Sequence, residues 1–202
     1  MDYRPTRHKK IIFKIPFTFK MIRKSIFAVA LSSLLFIQCN TNTDFVIAKD
    51  QVGKLLKSNT IDEIDTVFAS DSIVRDTTIT RIGAAVKKIN IYEKGGKQLL
   101  SLTPNTDSIP KIEIIRIYDP RYVTEKGVGL NSTFKDIEDK HSIKKIITAL
   151  NNVVIFLKDS DAYFTIAKTE LPSNLQYGNN TDIEAVQIPD NAKIKYMMVG
   201  WE

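Results

Sequence analysis

The chain has 202 residues, 43% of them apolar and 26% charged, with 8 Gly and 7 Pro. That composition excludes a collagen-like or wholly disordered chain. With 29 basic and 23 acidic residues the net charge is +6 and the pI about 9.2, a balance that would suit a nucleic-acid partner if it were spread over the fold.

It is not spread over the fold. Residues 1–38 hold eight basic residues (Arg4, Arg7, Lys9, Lys10, Lys14, Lys20, Arg23 and Lys24) and one acidic residue, Asp2. Taking 8 from 29 and 1 from 23 leaves 21 basic and 22 acidic residues, net −1. No nucleic-acid partner is expected. Residues 26–37, IFAVALSSLLFI, are a 12-residue apolar run, and a membrane-spanning helix needs roughly 20. Arg23 and Lys24 stand just ahead of it. A positive segment followed by a short apolar one is the plan of a secretory signal peptide, expected over residues 1–38. The stretch from Met21 to the cysteine is a complete leader by itself, so residues 1–20 read as a start-site extension or an unusually long basic region.

The apolar run stops at Leu35-Phe36-Ile37-Gln38-Cys39, and Cys39 is the only cysteine in the chain. This ending resembles the lipobox of bacterial lipoproteins, in the relaxed form seen in Bacteroidetes-like bacteria. Gln38 occupies the place usually held by Gly, Ala or Ser. The resemblance implies that Cys39 is the first mature residue and carries the lipid, with residues 39–44 as a tether. It implies an envelope protein, anchored in a membrane and expected at the outer membrane. A lone cysteine also excludes an intramolecular disulfide.

Past the tether, two stretches look alike: VGKLLKSNTIDEIDTVF, residues 52–68, and KGVGLNSTFKDIEDK, residues 126–140. Setting Thr60 over Thr133 places Ile61 over Phe134, Glu63 over Asp136 and Ile64 over Ile137, with a Gly before a Leu in both. Each Thr reads as the N-cap of a helix, with Glu63 or Asp136 completing a capping box. Asp62, Glu63, Asp65, Asp136, Glu138 and Asp139 then favour the helix N-terminal dipole rather than acid–base chemistry.

A hairpin follows each helix. Residues 88–102 turn at Gly95-Gly96, and residues 153–167 turn near Asp159-Ser160. Each hairpin leads to a further strand, residues 111–118 and 192–201. Residues 71–86 leave room for one more strand, and residues 142–150 fit either a helix or a strand. The expected fold is α+β, with two similar helix-hairpin-strand units, residues 45–119 and 120–202. A mostly antiparallel sheet carries the helices on one face. This pairing of Gly, Leu, Thr, short helix and sheet resembles the tandem-repeat fold of β-lactamase inhibitor proteins. It is also similar to the small SmpA/OmlA type of outer-membrane lipoprotein. The resemblance implies a lipoprotein that binds another macromolecule through its sheet, and it brings no residue-level binding motif with it.

The chain offers little catalytic chemistry. His8 lies in the leader, and His141 has no second imidazole or thiol to join it in a zinc site. No nucleophile-elbow, Walker or Gly-x-Gly-x-x-Gly pattern occurs. His141 reads as a surface or helix-capping histidine. A non-enzymatic role is expected, with neither cofactor nor metal. The first expectation is binding of a protein partner, in envelope assembly or as an inhibitor; the alternative is a periplasmic carrier or sensor of a small apolar ligand. Asp65-Thr66-Val67, Asp71-Ser72-Ile73 and Asp107-Ser108-Ile109 are similar to the Asp-Ser/Thr-apolar acceptors of O-glycosylation in Bacteroidetes.

Strand alternation locates an expected binding surface. With a two-residue turn at Gly95-Gly96, Tyr92 faces Leu99 and Ile91 faces Leu100. With a four-residue turn over residues 158–161, Phe156 faces Tyr163 and Ile155 faces Phe164. The sets Ile89, Ile91, Leu100, Leu102 and Val153, Ile155, Phe164, Ile166 should pack on the helices. Tyr92, Leu99, Phe156 and Tyr163 should lie on the other face, where aromatic clusters mark interfaces.

Overall fold

The structure is a computed structural model and describes Met1 and residues 43–75, 79–81, 84–177 and 182–201. The leader and Cys39 lie outside the described residues. Among the described residues no helix is long and apolar enough to cross a membrane.

An eight-stranded antiparallel sheet organises the unit formed by residues 42–202. Its strands are β4 (Ser72–Arg75), β7 (Ile89–Tyr92), β8 (Gln98–Pro104), β9 (Ile112–Ile117), β11 (Ile143–Thr148), β12 (Asn152–Leu157), β13 (Ala162–Ala167) and β14 (Ile194–Gly200), in the spatial order β11-β12-β13-β14-β9-β8-β7-β4. A smaller sheet has the order β10-β1-β2-β3, from β1 (Val46–Ala48), β2 (Gln51–Val52), β3 (Leu55–Leu56) and β10 (Val123–Thr124). Among the described residues the strands β5 (Ile79–Arg81) and β6 (Ala84–Val86) pair only with each other, and three short helices complete the α+β fold: α1 (Ile64–Val67), α2 (Phe134–Lys140) and α3 (Ser173–Gln176).

Both Thr residues cap as the sequence suggests. The Thr60 N–H donates to the Glu63 carboxylate at 2.9 Å, and the Thr133 N–H donates to Asp136 at 2.9 Å. Each Thr also makes a lone antiparallel bridge to the lysine before a central strand: Thr60 to Lys111, before β9, and Thr133 to Lys193, before β14. The matched apolar positions Ile64 and Ile137 are both fully buried. They join Phe68, Phe134 and the inward strand residues Ile91, Leu100, Leu102, Ile115, Phe164 and Ile155 in one core cluster. Burying each such side chain contributes roughly 1.5–3 kcal/mol.

Two expectations need correction, and one alternative is decided. Residues 71–86 hold not one strand but β4 and the β5–β6 hairpin. Of the helix and the strand that residues 142–150 left open, the strand forms, as the edge strand β11, in line with their β-branched content. A strand therefore stands between helix and hairpin in both halves. The second correction concerns the first hairpin. Gly95 and Gly96 take φ of 117° and 92°, and the Glu93 N–H bonds the Lys97 carbonyl at 2.8 Å. The turn thus has three residues between its closing pair, and a bulge takes up the extra residue. Tyr92 pairs with Gln98 instead of Leu99. The second hairpin has the expected register, with Phe156 opposite Tyr163 and Ile155 opposite Phe164.

Gly53 and Gly129, one in each of the matched stretches, are positions of close approach. Gly53 has φ of 55°, and a Cβ there would collide with the Asp44 carbonyl and lie 3.0 Å from the Tyr122 ring. A Cβ on Gly129 would lie 2.6 Å from the Tyr122 carbonyl oxygen. Tyr122 touches both glycines and meets Phe45 edge-on at 5.0 Å.

Candidate functional site: the open face of the large sheet

One face of the large sheet is closed by the core, and the alternate residues form the other. A continuous cross-strand row runs along it: Lys145, Phe156, Tyr163, Met198, Arg116, Ser101, Asn90 and Val74. Each member stands opposite its neighbour in the register, so pleating projects them all to one side.

Aromatic and cationic groups organise the middle of the row. The Phe156 and Tyr163 rings stack with centroids 5.1 Å apart and planes 20° from parallel. The Lys145 ammonium lies 4.8 Å over the Phe156 ring. The Arg116 guanidinium lies 4.2 Å from the Tyr196 ring and 4.9 Å from the Tyr118 ring. Lys195 reaches the Tyr196 ring at 5.1 Å and donates to the Asn152 side-chain oxygen at 3.2 Å. Such contacts hold a cation in place while leaving its N–H groups available. Toward β7 the face turns polar and closed: Ser101 is 3% and Asn90 7% exposed, and Asn90 accepts from Gln98 at 3.3 Å.

Of the four residues the sequence proposes as a surface, the structure brings two together. Phe156 and Tyr163 are stacked and half-buried. Tyr92 is half-buried on β7, with β8, β9 and β14 between it and β13. Leu99 is 4% exposed and is a core residue. The bulge takes it out of alternation, and it lies beside Phe68, Arg121 and Tyr122. Arg116, Tyr196 and Met198 escaped the sequence reading. Each alternates with buried apolar residues in its own strand, but only the pairing of β9 with β14 sets them beside Tyr163.

A cleft of about 390 Å³ flanks the row at the Phe156–Tyr163 pair, and its wall includes Lys144, Asp161, Glu113 and Trp201. Trp201 is 4% exposed, and its indole N–H has no hydrogen-bond partner among the described residues. A second cleft, about 610 Å³, lies between Thr60, Ile61 and the loop bearing Ile109 and Pro110.

His141 is the C-cap of α2 and only 7% exposed, so it is not a surface histidine. Its Nε2 is 2.9 Å from the Thr124 hydroxyl, and its Nδ1 is 3.2 Å from both Asp159 oxygens. Burial of Asp159 works to raise its pKa, but hydrogen bonds from Lys126 and His141 hold it below the usual carboxylate value. The Thr124 oxygen also accepts the Val128 N–H at 3.2 Å and is 2% exposed. The three side chains tie β10, the end of α2 and the β12–β13 turn together. Thr66, Ser72 and Ser108, the matched acceptor positions, are all exposed. Among the described residues no group of three or more His, Cys, Asp or Glu is placed to hold a metal ion.

No protein-family model matches the chain, and no curated protein matches it. Among solved structures it is similar to the uncharacterized protein yfeY from Escherichia coli. The two are 14% identical with a TM-score of 0.55, and the match covers 77% of this chain and 99% of that one. At that identity the likeness speaks to the fold alone.

Proposed function

We propose that this chain is a non-enzymatic envelope lipoprotein that binds a protein partner through the open face of its large sheet. The observation that carries the reading is the stacked Phe156–Tyr163 pair, set beside Met198 and the clamped Arg116 on the face of the sheet opposite the core. Tyr and Arg are over-represented at interface positions that dominate affinity.

The tandem architecture belongs to the same proposal. In chain order a helix and then four strands occur twice, α1-β4-β7-β8-β9 and α2-β11-β12-β13-β14, leaving aside the β5–β6 hairpin and β10. In the sheet, β9 meets β14 at the centre and β4 and β11 form the edges. The bridges Thr60–Lys111 and Thr133–Lys193 occupy matching places. These support two repeats of the kind seen in β-lactamase inhibitor proteins and small outer-membrane lipoproteins.

The anchor has its own test. Cys39→Ser is expected to shift the protein from the membrane to the soluble fraction, or to leave the leader uncleaved. Two or three acyl chains hold a protein firmly where one does not. Fractionation followed by intact-mass measurement checks this, and a variant processed and membrane-bound like the wild type would count against lipidation at Cys39.

For the face, the double variant Phe156→Ser with Tyr163→Ser is expected to remain folded and to lose capture of the partner from envelope extracts. Both rings are half-buried, so part of their area is available to a partner. Thermal melts run beside the capture assay separate the two outcomes. A large stability loss would show that the pair serves the core, and unchanged capture would show that the partner binds elsewhere.

A further inference from the structure

We infer that the open face receives an acidic protein surface, and that Arg116, clamped between Tyr118 and Tyr196, takes a carboxylate of that partner. The inference rests on the open face being a protein-binding surface and adds to it the chemistry of the partner.

Among the arginines whose side chains are described, Arg116 stands apart. Arg75 pairs with Asp65 at 2.7 Å, and Arg121 pairs with Asp119 at 2.8 Å and Glu93 at 2.9 Å. Arg116 has two aromatic rings and, among the described residues, no carboxylate. A guanidinium lying on a ring keeps its donors at the edge of its plane, where they match a carboxylate in a two-pronged contact. The two rings also fix the side chain in advance, so less rotamer freedom is lost on binding.

The rest of the face points the same way. Within the strands, the row and the positions two residues to either side of it hold Lys145 and Arg116 and no Asp or Glu. Two carboxylates flank the row at the cleft beside the Phe156–Tyr163 pair: Asp161, two residues before Tyr163, and Glu113. The chain beyond residue 38 has more acidic than basic residues, 22 against 21 by the count above, so the cationic centre of this face is not the mark of a basic protein. A fixed cation with no carboxylate of its own steers an oppositely charged partner and rejects like-charged ones. A protein fits better than a bilayer. A twisted antiparallel sheet offers a flat membrane only part of its area, and the Phe156 and Tyr163 rings stack on each other.

The test places a photo-cross-linking amino acid at Met198, opposite both Tyr163 and Arg116 in the register, in the full chain in its native envelope. The expected result is a cross-link to a protein segment containing Asp or Glu. Its yield should fall at least about tenfold in Arg116→Gln and partly recover in Arg116→Lys, with melting temperatures near wild type. If Arg116→Gln leaves the yield unchanged while Phe156→Ser with Tyr163→Ser abolishes it, the acidic partner is wrong and the binding face stands. If both variants cross-link like wild type, or no protein is cross-linked, the binding face falls as well. Cross-links to lipid alone would identify a membrane as the occupant and overturn the inference.

Discussion

Asp119→Ala is expected to cost about 1.5–3 kcal/mol of stability, the range for losing hydrogen bonds to a charged group, because the cations it leaves behind, Lys97 and Arg121, are about half exposed. Asp119 has no exposed surface. Its carboxylate receives the Arg121 backbone N–H at 2.8 Å, the Arg121 guanidinium at 2.8–3.1 Å and the Lys97 ammonium at 3.0 Å. Arg121 in turn lies 4.2 Å over the Phe45 ring. Asp119 therefore ties the β9–β10 connection to the β7–β8 turn and to the start of β1. Acid should act on the same group. Burial works to raise its pKa, but the bonds from Arg121 and Lys97 outweigh it and lower the value from 3.8 to about 2. Because the folded value lies below the unfolded one, the stabilisation is complete above about pH 4 and fades as the pH falls toward about 2. Denaturant midpoints for wild type and Asp119→Asn should therefore converge over that window. Parallel pH curves would mean that Asp119 is not held as the geometry indicates.

Gly53→Ala is expected to cost about 2–6 kcal/mol, from two separable sources. A non-glycine residue at φ near 55° costs about 1–3 kcal/mol. Moving the Asp44 carbonyl and the Tyr122 ring aside costs about 1–3 kcal/mol more. Gly127 isolates the first source. Its φ is 74°, and a Cβ there meets nothing within 4 Å, so Gly127→Ala should cost only the conformational part. Equal losses for the two variants in urea melts would show that the Asp44–Tyr122 contact yields easily and that only backbone freedom matters at Gly53.

The contrast between these glycines shows what could be read from the sequence. The match of residues 52–68 with residues 126–140 put a Gly before a Leu in both stretches without saying what it does; Gly53 and Gly129 prove to be close approaches to Tyr122, and Gly127 stands in open space. Local rules carried the capping pairs Thr60–Glu63 and Thr133–Asp136, because each joins groups three residues apart. Alternation carried Phe156 opposite Tyr163, because a four-residue turn fixes that register. It failed at Leu99, where one more residue in the turn shifts the pairing and a bulge absorbs it. Nothing local could place Arg116 beside Met198. Those residues are joined by the β9–β14 pairing, which spans some 80 positions of sequence. The ties between His141, Thr124 and Asp159 are of the same kind, since three separate elements deliver them.

The strand that joins the two halves of the large sheet is also its last in chain order. β14 lies between β13 and β9, so β4, β7, β8 and β9 on one side and β11, β12 and β13 on the other meet only through residues 194–200. A ribosome or translocon that has released everything up to β13 has released two incomplete half-sheets, each with an open hydrogen-bonding edge where β14 will sit. Closing the sheet must wait for the final segment and then bring together strands far apart in the chain, a slow topology for folding. If the chain is exported, as proposed above, this delay is an advantage, because a chain whose sheet closes only with β14 would stay threadable during passage. The two open edges make the interval before β14 pairs the one most exposed to mispairing.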